Sequence, residues 1–275
     1  MCRLLGVSPA GYYAAAGRPV AERVHRDETL AETIEQIFDT SHGRYGSPRV
    51  HQKLRHEGVK VARKRVARLM RERSLCARRA RRRARTTDSQ HSWPVAGNLL
   101  ERNFTATAVH QKWASDITYI ATREGWLYLV VVLDLFSRRV VGWSMSQQID
   151  AALVHRAITM AIAGKPADQP VILHSDRGSQ YAATGIGELC RFNKVTQSMS
   201  RRGNCWDNAV SESFFSTLKQ ELINERVYAT RAEARVALFE YIEIFYNRER
   251  LHSTLGYLSP AEFERTHTAI NPCPL

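Results

Sequence analysis

The sequence predicts an α/β chain: a mixed five-stranded sheet with flanking helices, preceded by a small all-α helix-turn-helix region. Three observations point there. Trp113 to Thr122, Trp126 to Asp134 and Val140 to Ser146 are rich in Val, Ile, Tyr and Trp and separated by short turns, the pattern of three consecutive strands. From Ala151 onward, stretches with helical spacing alternate with short apolar runs. Positive charge is concentrated ahead of the sheet. Ser41 to Arg85 holds seventeen Lys or Arg against two acids, Glu57 and Glu72, which is +15 in a chain of formal charge +13.

The N-terminal stretch MCRLLGVSPAGYYAAAG reads like the middle of a longer sequence. Across Glu22 to Phe38, the residues Leu30, Ile34, Ile37 and Phe38 recur at helical spacing. After a break at Gly43 to Gly46 comes SPRVHQKLRHEG. There Ser47 suits an N-cap, Pro48 the first helical position, Val50 and Leu54 share a face, and Gly58 ends the helix. A second helix, from about Ala62 to Arg73, sets Val66, Leu69 and Met70 against Arg63, Lys64, Arg65, Arg68, Arg71 and Arg73. Two short helices around a Gly-containing turn, the second one basic, outline a helix-turn-helix. Arg63, Lys64, Arg65 and Arg68 are its candidate DNA contacts; the alternative is a basic face turned to water. Arg78 to Arg85 and the following TTDSQHSWPVAGN read as a basic linker or arm.

The expected layout is a helical segment over 1–40, the helix-turn-helix over 41–77, a linker over 78–100, the sheet domain with its C-terminal helix over 101–265, and a tail over 266–275. Within the sheet domain the three strands are followed by a helix at Ala151 to Ala163 and a strand at Val171 to His174. Then come a helix at Thr184 to Phe192, a strand at Val195 to Ser198, and a helix from near Asn208 to about Asn224. Three antiparallel strands, then alternating helix and strand, with an acid on the first strand and another after the fourth, is the element order of the ribonuclease H-like fold.

Bulk properties exclude several classes. A 275-residue chain with 44% apolar residues can bury a real core. Five cysteines, an odd number with no CxxC pair, argue against a disulfide framework and a structural zinc site, and fit a reducing cytoplasm. The longest apolar run, Trp126 to Leu133, is too short to span a bilayer, and no signal-peptide pattern is present, so neither a membrane protein nor a membrane partner is expected. The local basicity, with a sequence pI of about 9.9, suits nucleic acid better than it suits solubility alone.

The acids then decide the chemistry. Asp116, in WASDITYI, lies within a strand of apolar neighbours, where an acid is costly unless paired or bound to a cation. It reads as a metal ligand or as a satisfied structural acid. Asp176, in LHSDRGSQY, stands where an apolar run stops; it reads as a second ligand or as an ordinary strand-ending Asp, with Gly178 letting the backbone turn away. Glu212, in NCWDNAVSESFFSTLKQE, lies about 200° around the helix from a ridge of Val210, Phe214, Leu218 and Leu222. Its alternative is an exposed helix acid. Asp134 reads as a structural acid holding the following turn to Arg138 or Arg139, and is the first replacement if one of the three fails. Three carboxylates converging from two strands and a packed helix can cage Mg²⁺, which takes one or two carboxylates plus phosphate oxygens, and two such ions support an in-line displacement.

WxxDITY, LHSDRGSQY and RGNCWDNAVSESFFSTLKQE strongly resemble the integrase-like transposases of insertion sequence family three. Thirty-five residues separate Asp176 from Glu212, Lys219 follows seven after the glutamate, and YNRERLHSTLGYLSPAEF resembles the family's closing motif, so the likeness covers almost the whole chain. The resemblance implies a retroviral-integrase-like catalytic core with Asp116, Asp176 and Glu212 holding two Mg²⁺ (or Mn²⁺) ions. It implies cleavage at element ends to expose a 3′-hydroxyl, followed by strand transfer, with Lys219, Arg177 and Gln180 touching DNA. Lys219 could instead pair with Glu221 or Glu225, and Trp206 could stack on a base or cover the core. The family also implies a frameshift fusion with an upstream-frame product, a homo-oligomer on DNA, and a place in the bacterial cytoplasm at the nucleoid. Two departures stand out: GYYAAAGRP lacks the aromatic residue that often follows GYYA, and the zinc-binding His and Cys arrangement of retroviral integrases is absent. Thr230 and Glu233 suggest a capping box ahead of an apolar stripe of Val236, Phe239, Ile242, Phe245 and Tyr246. Arg250 and His252 read as structural or phosphate-facing. The competing functions are a non-catalytic regulator of the element and a plain nuclease on the same fold.

Overall fold

The computed structural model describes residues 2, 6–16, 21–77, 96–201, 205–223 and 226–270. The Arg78 to Arg85 run, most of the expected linker, residues 271–275 and the Trp206 side chain lie outside the described residues. The chain divides into two compact units, Met1–Arg78 and Arg79–Leu275.

The first unit is helical. It comprises α1 (Pro9–Ala16), inside the stretch expected to be helical, α2 (Glu22–Thr40), α3 (Ser47–His56) and α4 (Arg63–Glu72). Helices α2, α3 and α4 meet around buried Ala31, Ile34, Ile37, Val50, Leu54, Val66, Leu69 and Met70, the apolar faces that the helical spacing indicates. Ser47 does not cap α3: it is the first helical residue, and Gly46 occupies the cap. Gly58, at φ +82°, turns the chain out of α3 in a conformation open to glycine at little cost. Ion pairs lock α4 onto α2: Arg65 and Arg68 both reach Asp27, and Arg73 reaches Glu28 and Glu35.

The second unit is built on strands β1 (Lys112–Thr122), β2 (Gly125–Asp134), β3 (Val140–Ser146), β4 (Val171–Ser175) and β5 (Val195–Met199). Their order across the sheet is β3-β2-β1-β4-β5. The first three form an antiparallel meander, and β4 and β5 add in parallel. Helix α5 (Ala151–Ala163) begins where Asp150 accepts the Leu153 N–H at 2.8 Å. It lies so close to β3 that a Cβ on Gly142 would sit 2.2 Å from the Ala157 carbonyl oxygen. Helices α6 (Ser179–Ala182) and α7 (Thr184–Phe192) complete this face around Trp113, Val130, Leu153, Ile158 and Leu173.

A 3₁₀ turn at Cys205–Asn208 leads into α8 (Ala209–Leu218), which passes into a π-type turn at Lys219–Ile223. The regular helix is therefore shorter than expected. Its buried side is Ser211, Phe214, Phe215 and Leu218, with Val210 packing on Ala114 and Leu135. Helix α9 (Arg231–Phe239) runs into a π-type segment at Glu240–Glu249, and α10 (Pro260–Ile270) follows. Thr230 caps α9 by accepting the Glu233 N–H, while the Glu233 carboxylate takes the Ala229 N–H and Arg226. The expected apolar stripe is corrected in its first half. Val236 and Phe239 are exposed, and Ala234 and Leu238 seat α9 against the sheet, because a small residue at the contact lets the helix approach closely.

Candidate active site

The parallel register of β1 and β4 pairs Lys112 with Ile172, Trp113 with Leu173 and Ala114 with His174, then stops. Asp116 and Asp176 each lie two residues beyond that last pair. The ladder stops there, at the carboxyl end of β4, the position where open α/β sheets form their ligand crevice. Asp116 shares the pleat face of Ala114, the residue on which Val210 of α8 packs. Glu212 is in the first turn of α8 and exposed to solvent.

Electrostatics connect the three acids. The Asp116 carboxyl is pushed up to about 8, first by burial and then by the negative charge of Asp176; Glu212 pushes the same way. The Ile117 N–H, donating to Asp116 Oδ1 at 2.8 Å, and the Lys219 ammonium oppose the rise. Lys219 lies at the junction of α8 and its π-type turn, with Nζ 5.4 Å from the centroid of the Tyr119 ring. So the structure brings Asp176, Glu212 and Lys219 within reach of the charge of Asp116. Among the described residues, however, no three His, Cys, Asp or Glu side chains close into an ion cage. Carboxylates facing one another repel, and two strand acids beside an open crevice still match a hard cation that shares its shell with water and phosphate.

Beneath this crevice the packing is specific. Ser115 Oγ donates to the Val131 carbonyl at 2.8 Å and accepts from the Tyr181 hydroxyl at 2.7 Å. Tyr181, fully buried, ends the LHSDRGSQY motif, and its hydroxyl is raised well above the usual phenol value by burial and by the charges of Asp116 and Asp176. Gly178 has an ordinary extended backbone, φ −60° and ψ 140°, so it does not serve an unusual turn. Its role is room: a Cβ there would lie 3.0 Å from Asp176 Oδ1, which accepts the Gly178 N–H at 3.0 Å. Arg177 donates from Nε to the Ser200 carbonyl at 2.6 Å and so links the ends of β4 and β5. Gln180 is half-buried beside Gly178.

Asp134 is buried and structural, but not through an arginine. Its carboxylate accepts N–H groups from His110 at 2.7 Å, Phe136 at 2.9 Å and Ser137 at 3.1 Å. Arg139 pairs instead with Glu264 at 2.7 Å. The turn is too tight to bring the guanidinium back, whereas its backbone donors already point inward. Glu221 is spoken for by Arg250 and the Tyr241 hydroxyl, buried together. Arg250 is therefore structural.

Sequence reasoning missed Asp207. It is buried and accepts from Asn98, Arg102 and Arg201 at 2.9–3.1 Å, and Arg201 first among them holds it far below the usual carboxylate range. It ties residues 98–102 and the end of β5 to the start of α8, and so fixes the root of the helix that carries Glu212. In the first unit, Arg65 and Arg68 are committed to Asp27, while Arg63 and Lys64 are exposed.

Comparison with known proteins accords with this architecture. Integrase core domain profiles match residues 106–205 and 193–260, and an HTH-like domain profile matches residues 25–83. A chain of the simian T-cell lymphotropic virus intasome, solved with the PP2A regulatory subunit B56 gamma, superposes with a TM-score of 0.50. It is 15% identical and covers 88% of this chain and 77% of that one, a likeness of fold. Sheet, helical region and profile matches together define a protein with an HTH-like region followed by an integrase core. The sequence relatives narrow it further. The chain is 41% identical to the transposase InsF of insertion sequence IS3A from Escherichia coli, over 98% of this chain and 94% of that protein. It is 40% identical to a 31 kDa protein of insertion element IS600 from Shigella sonnei, over 97% and 98%. It belongs to the IS3 family of transposases.

Proposed function

We propose that Asp116, Asp176 and Glu212 are the catalytic acids of this transposase and hold its divalent metal, Mg²⁺ or Mn²⁺, as two ions. The observation that carries the reading is the raised Asp116 carboxyl, which burial first, and then the charges of Asp176 and Glu212, hold protonated near neutrality. A group raised in this way by other acids, in a crevice open to solvent, is a functional-site signature. Bound there, the cations would neutralise charge developing on the phosphoryl oxygens during in-line displacement.

The chain's own residues prepare that reaction. Asp116 gives up its proton on loading, since carboxylates bind metal only when ionised. Tyr181 and Ser115 fix the floor below Asp116, and Asp207 fixes the start of α8 so that Glu212 faces the crevice. Lys219 offers a positive charge to a DNA phosphate at the crevice edge, with Arg177 and Gln180 along the β4 lip. Hydrolysis at an element end leaves a 3′-hydroxyl, which then attacks a second phosphodiester and displaces its 3′-oxygen. Exposed Arg63 and Lys64 carry sequence-independent affinity for DNA, and Arg65 and Arg68, paired with Asp27, hold α4 in position for it. The family resemblance adds an upstream-frame fusion partner, a homo-oligomer on DNA, and a working place at the nucleoid in the cytoplasm.

A strand-joining assay tests the reading. It uses Mg²⁺, labelled element-end DNA and this chain fused to its upstream-frame portion, beside Asp176→Asn. Joined products that vanish in the variant are expected. Cleavage without joining would make the protein a nuclease, and DNA bound but left intact by both forms would make it a regulator.

A further inference from the structure

A pocket with apolar walls and a cluster of polar side chains lies beside the acids, and neither the acid site nor the helix-turn-helix uses it. It has a volume of about 220 Å³, between α8, the turn after β2 and the closing motif. Its lining includes Arg138, Ser213, Thr217, His252 and Thr254, over a floor formed by Tyr246, and among the described residues no Asp or Glu lines it. Two motifs far apart in sequence, LDLFSRR and RLHSTLGY, meet here. Leu133, also in the wall, pairs with Ala114, two residues from Asp116, and Ser213 follows Glu212 directly.

Arg138 is the informative member. Its backbone is in the left-handed region, φ +61°, which is strained for a residue with a Cβ. Glycine would take this turn without that strain, so what arginine adds is its guanidinium. The turn is rigid: the Arg138 N–H donates to the Asp134 carbonyl at 2.9 Å, and the Asp134 carboxylate binds the Phe136 and Ser137 N–H groups. Among the described residues no carboxylate lies within ion-pair distance of Arg138. Burial lowers its proton affinity, while Tyr246 and the charge of Asp134 oppose that shift. Around it stand three hydroxyls and an imidazole, with Thr254 Oγ1 2.9 Å from His252 Nδ1. Tyr246 meets Phe214 edge-on at 4.8 Å and closes the floor.

A cation backed by hydroxyl donors, with no acid in the lining, recognises a phosphate. The volume equals about seven waters at ~30 Å³ each, enough for a phosphodiester and its sugar but not for a duplex. We propose that this pocket seats a non-scissile backbone phosphate of the DNA, held by Arg138 with Ser213, Thr217, His252 and Thr254, and so fixes the strand's path along α8. The proposal rests on the reading of the acid site only for its location.

The test is equilibrium binding of the full chain to a labelled duplex across a KCl series, without divalent metal. Losing one phosphate contact lowers the slope of log affinity against log salt by about 1. Arg138→Gln is expected to show that loss, and Arg138→Lys to recover it. The double variant Ser213→Ala with Thr254→Val, which alters neither charge nor the turn, is expected to weaken binding at an unchanged slope. It stands in if Arg138→Gln melts early. Wild-type slope and affinity in a well-folded Arg138→Gln would overturn the proposal. Inorganic phosphate, at fixed ionic strength, is expected to displace DNA from the wild type but not from Arg138→Gln; phosphate that binds at Arg138 and leaves DNA affinity unchanged would overturn the proposal, since the pocket would then serve free phosphate. Strand joining is scored separately. No joining with a lowered slope sinks the acid-site reading and leaves the pocket; joining with an unmoved slope sinks the pocket alone.

Discussion

Glu221 and Asp116 sit in the same unit, and their surroundings are opposite. Glu221 is buried against Arg250, which donates to Oε1 and Oε2 at 2.8 Å each, and against the Tyr241 hydroxyl at 2.9 Å. Asp207 follows the same plan with Arg201 and Arg102. Asp116 has one N–H donor, and the charges that bear on it most are other acids. Acids of the first kind hold elements together and are complete as they stand. Acids of the second kind carry a charge cost that a bound cation would relieve, which is the ground for the metal site proposed at Asp116.

Two substitutions should separate the kinds cleanly. Asp176→Asn is expected to cut strand joining by more than the ~10–100-fold typical of changes one shell out from a metal, with the melting temperature held or raised. Glu221→Gln is expected to do the reverse. Stranding Arg250 in the interior costs about 3–5 kcal/mol, and at roughly 2–4 °C per kcal/mol the melting temperature falls steeply. Metal dependence of the remaining folded protein should be unchanged. If Glu221→Gln left stability intact while changing the Mg²⁺ requirement, the division between structural and functional acids would fail.

Much of this was legible beforehand, for identifiable reasons. The meander, α5 and α7 were readable because β-branched runs and helical spacing are local signals. Asp116 and Asp176 stood out because a lone acid beside an apolar run is conspicuous. Glu212 alone looked like any exposed helix acid, and only the joint motif spacing singled it out. Asp207, Tyr181 and the Glu221–Arg250 pair were not readable, since their partners lie tens of residues away: Arg102 is 105 positions from Asp207. The stripe on α9 misled because Val236 and Phe239 outweigh Ala234 in apolarity, while packing favoured the smaller residue. Arg138 and His252 meet only through the fold.

A pH experiment probes the crowded kind directly. The folded Asp116 keeps its proton up to about 8, whereas the unfolded chain releases it near the ordinary value of 3.8. The folded state therefore holds more protons between those limits, and the stability Asp116 contributes is lost as pH rises through about 8. Metal-free wild type is expected to melt several degrees lower at pH 9 than at pH 6, with Mg²⁺ restoring the loss. Asp116→Asn should flatten that slope and abolish the Mg²⁺ response. A wild type whose melting is insensitive to both pH and Mg²⁺ would mean that Asp116 is compensated like Glu221.

The same contrast between committed and available charge runs through the helix-turn-helix. Arg65 and Arg68 are tied to Asp27 at 2.6 and 2.7 Å, and Asp27 is held below the usual carboxylate range by Arg68 and then Arg65. Arg63 and Lys64 face solvent on the same helix. If committed arginines position α4 and exposed ones meet DNA, Arg63→Ala and Lys64→Ala should each lower the salt slope of DNA binding by about 0.9. Arg65→Ala should loosen the packing of α4 on α2 and leave the slope almost unmoved. Asp27→Asn is the sharper test, because it removes the acid and keeps both arginines. A steeper slope in that variant would show that Arg65 and Arg68 are held in reserve for phosphate, and the line between the two kinds of charge would then be drawn by Asp27 rather than by α4.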